Sequence, residues 1–163
     1  MHPRTSPSRS TTHPVHRAFD DERDTAQKAT GRVYQWIALI IAGGVIVQFF
    51  LAGMGLFGAG SYDAHIQLGW TLHGVAMVGF VAAVVRPRTA QAIIGSGALL
   101  VALTVQVSLP GLRNDAPWLA AFHPVLALAI LYLAVKIGMP ALQSAKARPA
   151  NIAEALLEHP TPM

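Results

Sequence analysis

Of the 163 residues, 53% are hydrophobic and only 12% charged, with a mean hydropathy of +0.44. Soluble domains carry about a quarter of their residues as charges, so this composition argues against a water-soluble globular fold. The absence of cysteine excludes disulfides, thiolate-held iron–sulfur clusters and covalent c-type haem attachment.

In chain order, residues 1–32 are rich in Ser, Thr, Pro, His and Arg and too poor in apolar residues to build a core. They read as a disordered cytoplasmic tail, with a short surface helix over 20–28. Four uncharged apolar blocks follow, at about 33–57, 65–85, 90–109 and 118–138. Each approaches or exceeds the roughly 18–20 residues needed to cross a hydrocarbon core, and none has a polar face. The expected fold is therefore an all-α, four-helix transmembrane bundle over 33–139.

Tyr34 and Trp36 suit the aromatic belt at a membrane interface. Gly53, Gly55, Gly58 and Gly60 weaken the end of the first span, while Arg86-Pro87 stops the second, since proline cannot continue a helix. The third is expected to end at Leu109-Pro110-Gly111 and the fourth near Gly138-Met139-Pro140. Residues 140–163 form a second cytoplasmic tail, with one short amphipathic helix before Pro160. The short connections make sequence neighbours antiparallel neighbours in space.

The charges decide the orientation. Arg4, Arg9, Arg17, Arg23, Lys28 and Arg32 precede the first block, Arg86 and Arg88 lie between the second and third, and Lys136, Lys146 and Arg148 follow the fourth. On the other side stand Asp63, Asp115 and a single cation, Arg113. This is the positive-inside pattern, with both termini in the cytoplasm. The basic pI of about 10.0 thus reflects topology, and the tails lack the basic–aromatic interleaving that would point to nucleic acid.

The two halves of the bundle resemble each other. At a gap-free displacement of 58 residues, Val47-Gln48 falls on Val105-Gln106, Leu51 on Leu109, Gly53 on Gly111, His65 on His123 and Leu68 on Leu126. Matches among Val, Leu and Gly are cheap in apolar helices. Gln and His are not, so their joint recurrence suggests two pseudo-repeated helical hairpins, an architecture known among membrane proteins.

Polar side chains are costly in lipid and mark functional positions. Here they are Gln48, His65, Gln67, His73, Gln106 and His123. His65 and His123 are expected about one turn inside the second and fourth spans, at matched depth, which suits axial ligation of a haem iron from both faces. Gly69, one turn from His65, leaves room for a flat macrocycle; Ala127 is its counterpart beside His123. Arg113 is the cation that haem propionates would meet. The same pair also fits interfacial packing or hydrogen bonding to a neighbouring helix. His73 lies two turns deeper and needs a partner such as Gln48, or serves as an alternative ligand; its repeat counterpart is Leu131. Gln48 and Gln106 read as interhelical hydrogen-bonders. No nucleophile–base pair or phosphate loop is visible, which points away from an enzyme acting alone.

Tyr34-Gln-Trp36, Val47-Gln-Phe-Phe-Leu-Ala-Gly53, Asp63-Ala-His65 with Gly69 and Leu72-His73, and Phe122-His-Pro124 resemble an uncharacterised four-helix bacterial membrane family, a domain of unknown function. The resemblance covers about 33–139 and implies the bacterial cytoplasmic membrane, without bringing an activity. In layout the chain is also similar to one half of a haem A synthase, a four-helix unit with His near the outer ends of its second and fourth helices. That likeness puts His65 and His123 in ligand positions. No Glu stands just ahead of His65, no Arg immediately follows it, and there is one bundle instead of two, so the synthase reaction is not implied.

Three functions stay open. One is a small protein binding b-type haem between His65 and His123 for electron transfer or redox sensing, with a membrane redox partner. Another is a cofactor-free accessory or scaffold subunit of a membrane complex. The third is a small transporter or proton-relay element using His73 and Gln48.

Overall fold

The computed structural model describes residues 14–85 and 90–158, with side chains over 33–85 and 90–146. Residues 1–13 of the expected N-terminal tail, residues 86–89 with the basic Arg86 and Arg88, and the last five residues, Pro160 included, lie outside the described residues. The elements are α1 (Pro14–Leu56), α2 (Asp63–Val85), α3 (Ala90–Ser108), a 3₁₀ turn (Leu109–Arg113), α4 (Pro117–Ala120) and α5 (His123–Glu158). Four stretches are long and apolar enough to cross a membrane: Val33–Leu56, Asp63–Val85, Ala90–Arg113 and Pro117–Lys146. The chain is a multi-pass membrane protein built as an all-α four-helix bundle.

Helix boundaries depart from the sequence expectation in five places. α1 begins at Pro14, so the backbone over 14–32 is helical where a tail with one short helix was expected. Pro14 occupies the first helical position, where its missing N–H is one of the orphans anyway, and no proline follows before Pro87. At the other end, Gly53 and Gly55 do not fray α1, which stays helical to Leu56. The chain reverses instead at Gly58, whose φ of +72° is open to glycine and strained for other residues.

The third span does not stop at Leu109 but tightens there into a 3₁₀ turn that carries it to Arg113. The fourth span is broken near its start, because Pro124 has no N–H to give Ala120. α4 therefore ends at Ala120, and α5 starts afresh at His123. His123 is thus the first residue of a helix rather than a residue within one, though still six positions inside the span. α5 then runs through Pro140 to Glu158 instead of ending near 138. Proline removes one backbone bond there, but Ala134, Gly138 and Ala141 are all buried around it, and packing on both sides holds the helix across the gap.

The tightest packing pairs α1 with α5 and α2 with α3, completed by α1 with α2 and α3 with α5. α1 and α3 are thus diagonal, as are α2 and α5. Small residues allow the approach. A Cβ on Gly138 of α5 would lie 3.1 Å from the Gln35 carbonyl oxygen and against Leu39 of α1. Among other small residues, Ala38 and Ala42 are buried and Gly79 packs on Ile37, whereas Gly74 has nothing within 4 Å of where a Cβ would stand and Ala98 is exposed.

The core carries the repeat. At the same displacement, buried Ala38 matches buried Ser96, Ile41 matches Leu99, Val45 matches Leu103, Leu72 matches Ile130, Ala76 matches Ala134, and Ala83 matches Ala141. Each hairpin supplies the same positions to a shared core, so exchange of α1 with α3 and of α2 with α5 approximates a two-fold operation. The outward surface is apolar: Phe50, Val78, Ile94, Val101 and Tyr132 are all exposed, as lipid contact requires. Exposed Thr71, Thr104, Ser108 and Ser144 each donate to the carbonyl four residues back at 2.8 Å, which satisfies the hydroxyl inside its own helix.

Candidate functional site

A cavity of about 310 Å³ opens between the helices near the end of the bundle that carries the α1–α2 and α3–α4 connections. Its walls repeat the two-fold relation. Val45 and Leu103, Gln48 and Gln106, His65 and His123, Gly69 and Ala127, and Leu72 and Ile130 all line it. The matched positions in sequence therefore converge on one space, and they include every pair with chemical content.

Each histidine is held in the same way. His65 Nδ1–H donates to the backbone oxygen of Gln48 at 3.2 Å, and His123 Nδ1–H to the backbone oxygen of Gln106 at 3.0 Å. A carbonyl can only accept, so both rings carry their proton on Nδ1 and keep the Nε2 lone pair. The second hairpin shows why a helix carbonyl is available for this bond. The residue four beyond Gln106 is Pro110, which has no N–H to donate. The two rings meet across the bundle axis with centroids 6.0 Å apart and planes at 64°.

The surroundings of the two rings differ. The Tyr62 ring stands edge-on to His65 at 6.3 Å. The Gln106 side-chain amide donates to His123 Nε2 at 3.3 Å. Gln48 is turned instead over Gly69, where a Cβ would come within 3.0 Å of its Nε2. The side-chain oxygens of Gln48 and Gln106 are both buried without a hydrogen-bond partner, a cost of about 1–3 kcal/mol each. Both glutamines were expected to bond between helices; only Gln106 does so through its side chain, and both do so through their carbonyls.

His73 belongs elsewhere. Its partner is Thr104 of α3, with Nε2 3.1 Å from Oγ1, rather than Gln48 of α1. Because the Thr104 hydroxyl proton goes to Leu100, Thr104 accepts and His73 donates. His73 lies off the inward face of α2, toward α3 and beside the exposed Trp70 ring at 5.9 Å, and does not line the cavity. The expected His73–Gln48 pair is thereby replaced, because the two side chains leave α2 and α1 toward different neighbours.

Residues 48–112 match a family of unknown function, DUF6220. The match begins at Gln48, takes in His65, His73 and Gln106, and ends before His123. Neither the curated proteins nor the solved structures return a match to this chain. The chain is similar to that family over the first hairpin's second half and most of the third span, and the similarity brings no activity with it.

Among the described residues no group of three metal-ligating side chains gathers. Two imidazoles alone do not satisfy zinc, which takes three or four protein ligands. They do complete the coordination of a metal that brings its own equatorial ring. Ligation at His123 would require the Gln106 amide to rotate off Nε2. That rotation gives up one neutral hydrogen bond, about 1 kcal/mol, and its unpartnered oxygen has no bond to lose.

Two contributors escaped sequence reasoning. Tyr62, just before α2, was not singled out although it packs on His65. Thr104 was not recognised as the partner of His73. A threonine in an apolar helix usually satisfies itself, so no local signal marked it.

Proposed function

We propose that this protein binds a b-type haem in the cavity, with His65 and His123 as axial ligands, and serves electron transfer or redox sensing in the membrane. The observation that carries the proposal is the matched pinning of both rings. Backbone carbonyls take the two Nδ1–H groups, so each Nε2 carries a lone pair, that of His123 once the Gln106 amide rotates away, and the ring centroids stand 6.0 Å apart. Two imidazoles binding one metal from opposite sides, with bonds of about 2 Å, have centroids about 6 Å apart. A carbonyl behind a ligating histidine also fixes its tautomer and raises its basicity, as is usual around bound metals. The cavity volume falls within the range of about 300–1,000 Å³ typical of ligand sites.

A bound haem would supply one-electron chemistry; the chain's own residues orient the ligand atoms and line the site with largely apolar walls. The charge pattern supports placing the cavity end on the outer side of a bacterial cytoplasmic membrane, with both termini cytoplasmic and a membrane redox partner.

The test is the absorption spectrum of protein purified in detergent from haem-replete cells. The expected result is a Soret band with split visible bands on reduction, lost in both His65→Ala and His123→Ala. A colourless protein that also fails to take up added haem sinks the proposal. That result would leave the cofactor-free scaffold, in which the two rings only tie each hairpin's helices together.

A further inference from the structure

The cavity is two-fold matched in its walls, and the places where the match fails determine how a ligand lies in it. The sharpest failure is charge. Arg113 lines the cavity, and its counterpart at the same displacement is Gly55. Arg113 is the one charged residue in the lining, and among the described residues it has no ion pair. The second failure is bulk. On the first hairpin the Tyr62 ring packs so closely on Gly55 that an added Cβ would come within 2.7 Å of it, and the same ring stands against His65. The counterpart of Tyr62 is Ala120. The position that brings a cation to the cavity wall on the second hairpin is therefore, on the first, a glycine covered by a phenol ring.

We propose that Arg113 binds the carboxylate edge of the cavity's ligand and, as the position that breaks the two-fold match, sets which way round that ligand faces. The inference rests on the haem reading, in which the ligand is a flat tetrapyrrole whose two carboxylates lie on one edge. The two imidazoles do not by themselves choose an orientation, because each is held at Nδ1 by a backbone carbonyl in the same way. A guanidinium near low-dielectric walls is suited to a carboxylate, which it can hold by two parallel hydrogen bonds. Gly55, the counterpart of Arg113, lies under the Tyr62 ring and offers no charge.

The experiment titrates full-length, haem-stripped protein in detergent with ferric protoporphyrin IX and, separately, with its dimethyl ester. Binding is followed at the Soret band, and orientation by the haem methyl resonances in the proton NMR spectrum of the ferric form. Wild-type protein is expected to prefer the diacid by about tenfold, the scale of one charge-assisted hydrogen bond, and to show one set of methyl resonances. Arg113→Gln is expected to bind both forms alike, with the wild-type visible spectrum but two sets of resonances. Arg113→Lys should keep part of the preference. An Arg113→Gln protein that still prefers the diacid and keeps one set overturns the inference while the bis-histidine reading stands. Wild-type protein that takes up neither porphyrin overturns the haem reading, and this inference with it.

Discussion

At the residue scale, the site rests on backbone carbonyls as much as on side chains. His65 is anchored by the carbonyl of Gln48, which any residue at position 48 supplies. The Gln48 side chain lies over Gly69 and carries a buried, unpartnered oxygen. Gln48→Leu is therefore expected to keep the reduced haem spectrum unchanged while His65→Ala abolishes it. Removing the unsatisfied oxygen should also leave unfolding stability equal or higher by up to about 1 kcal/mol, measured by denaturant titration in detergent. A spectral shift in Gln48→Leu would show that the amide, not the carbonyl, sets the ring. The functional weight of Gln48, Gln106, His65 and His123 was legible in the sequence because Gln and His are rare in spans and recur together. Which atom of each glutamine acts was not, since a backbone carbonyl is present at every position.

At the element scale, helix ends and helix contacts answer to different signals. Prolines explain the break ahead of His123 and the tightening after Ser108, yet Pro140 does not end α5. The difference is packing: Ala134, Gly138 and Ala141 press that part of α5 against its neighbours. Gly138→Val is accordingly expected to destabilise the bundle by about 1–3 kcal/mol, because its Cβ would meet the Gln35 carbonyl and Leu39 and overpack the interface. Gly43→Ala is the control: a Cβ there has nothing within 4 Å, so the variant should match or slightly exceed wild type in the same unfolding assay. The placement of His73 is also decided at this scale. Its position on α2 was readable, but its partner depended on which helix lies beside that face. Thr104 of α3 proved to be there, and Gln48 of α1 did not.

At the scale of the whole molecule, four spans with paired connections at one end make a topology that can be tested directly. The chain has no cysteine, so single substitutions report cleanly. In intact cells, Ser61→Cys and Asn114→Cys are expected to react with a membrane-impermeant maleimide, and Lys146→Cys only after the membrane is opened. Labelling of Lys146→Cys in intact cells would reverse the orientation inferred from the charges.

The sequence by itself determined the membrane class, the number of spans and the relation between the hairpins. Long apolar blocks have one stable environment, and a repeated Gln–His spacing survives translation into structure because both halves fold alike. It could not determine that the repeated residues would face one another, that Tyr62 would pack on His65, or that Arg113 would enter the cavity wall. Those facts depend on which helices are diagonal and how closely their small residues let them approach. Pairwise packing energies settle that only once all four helices are in place, and through that packing two distant histidines become one site.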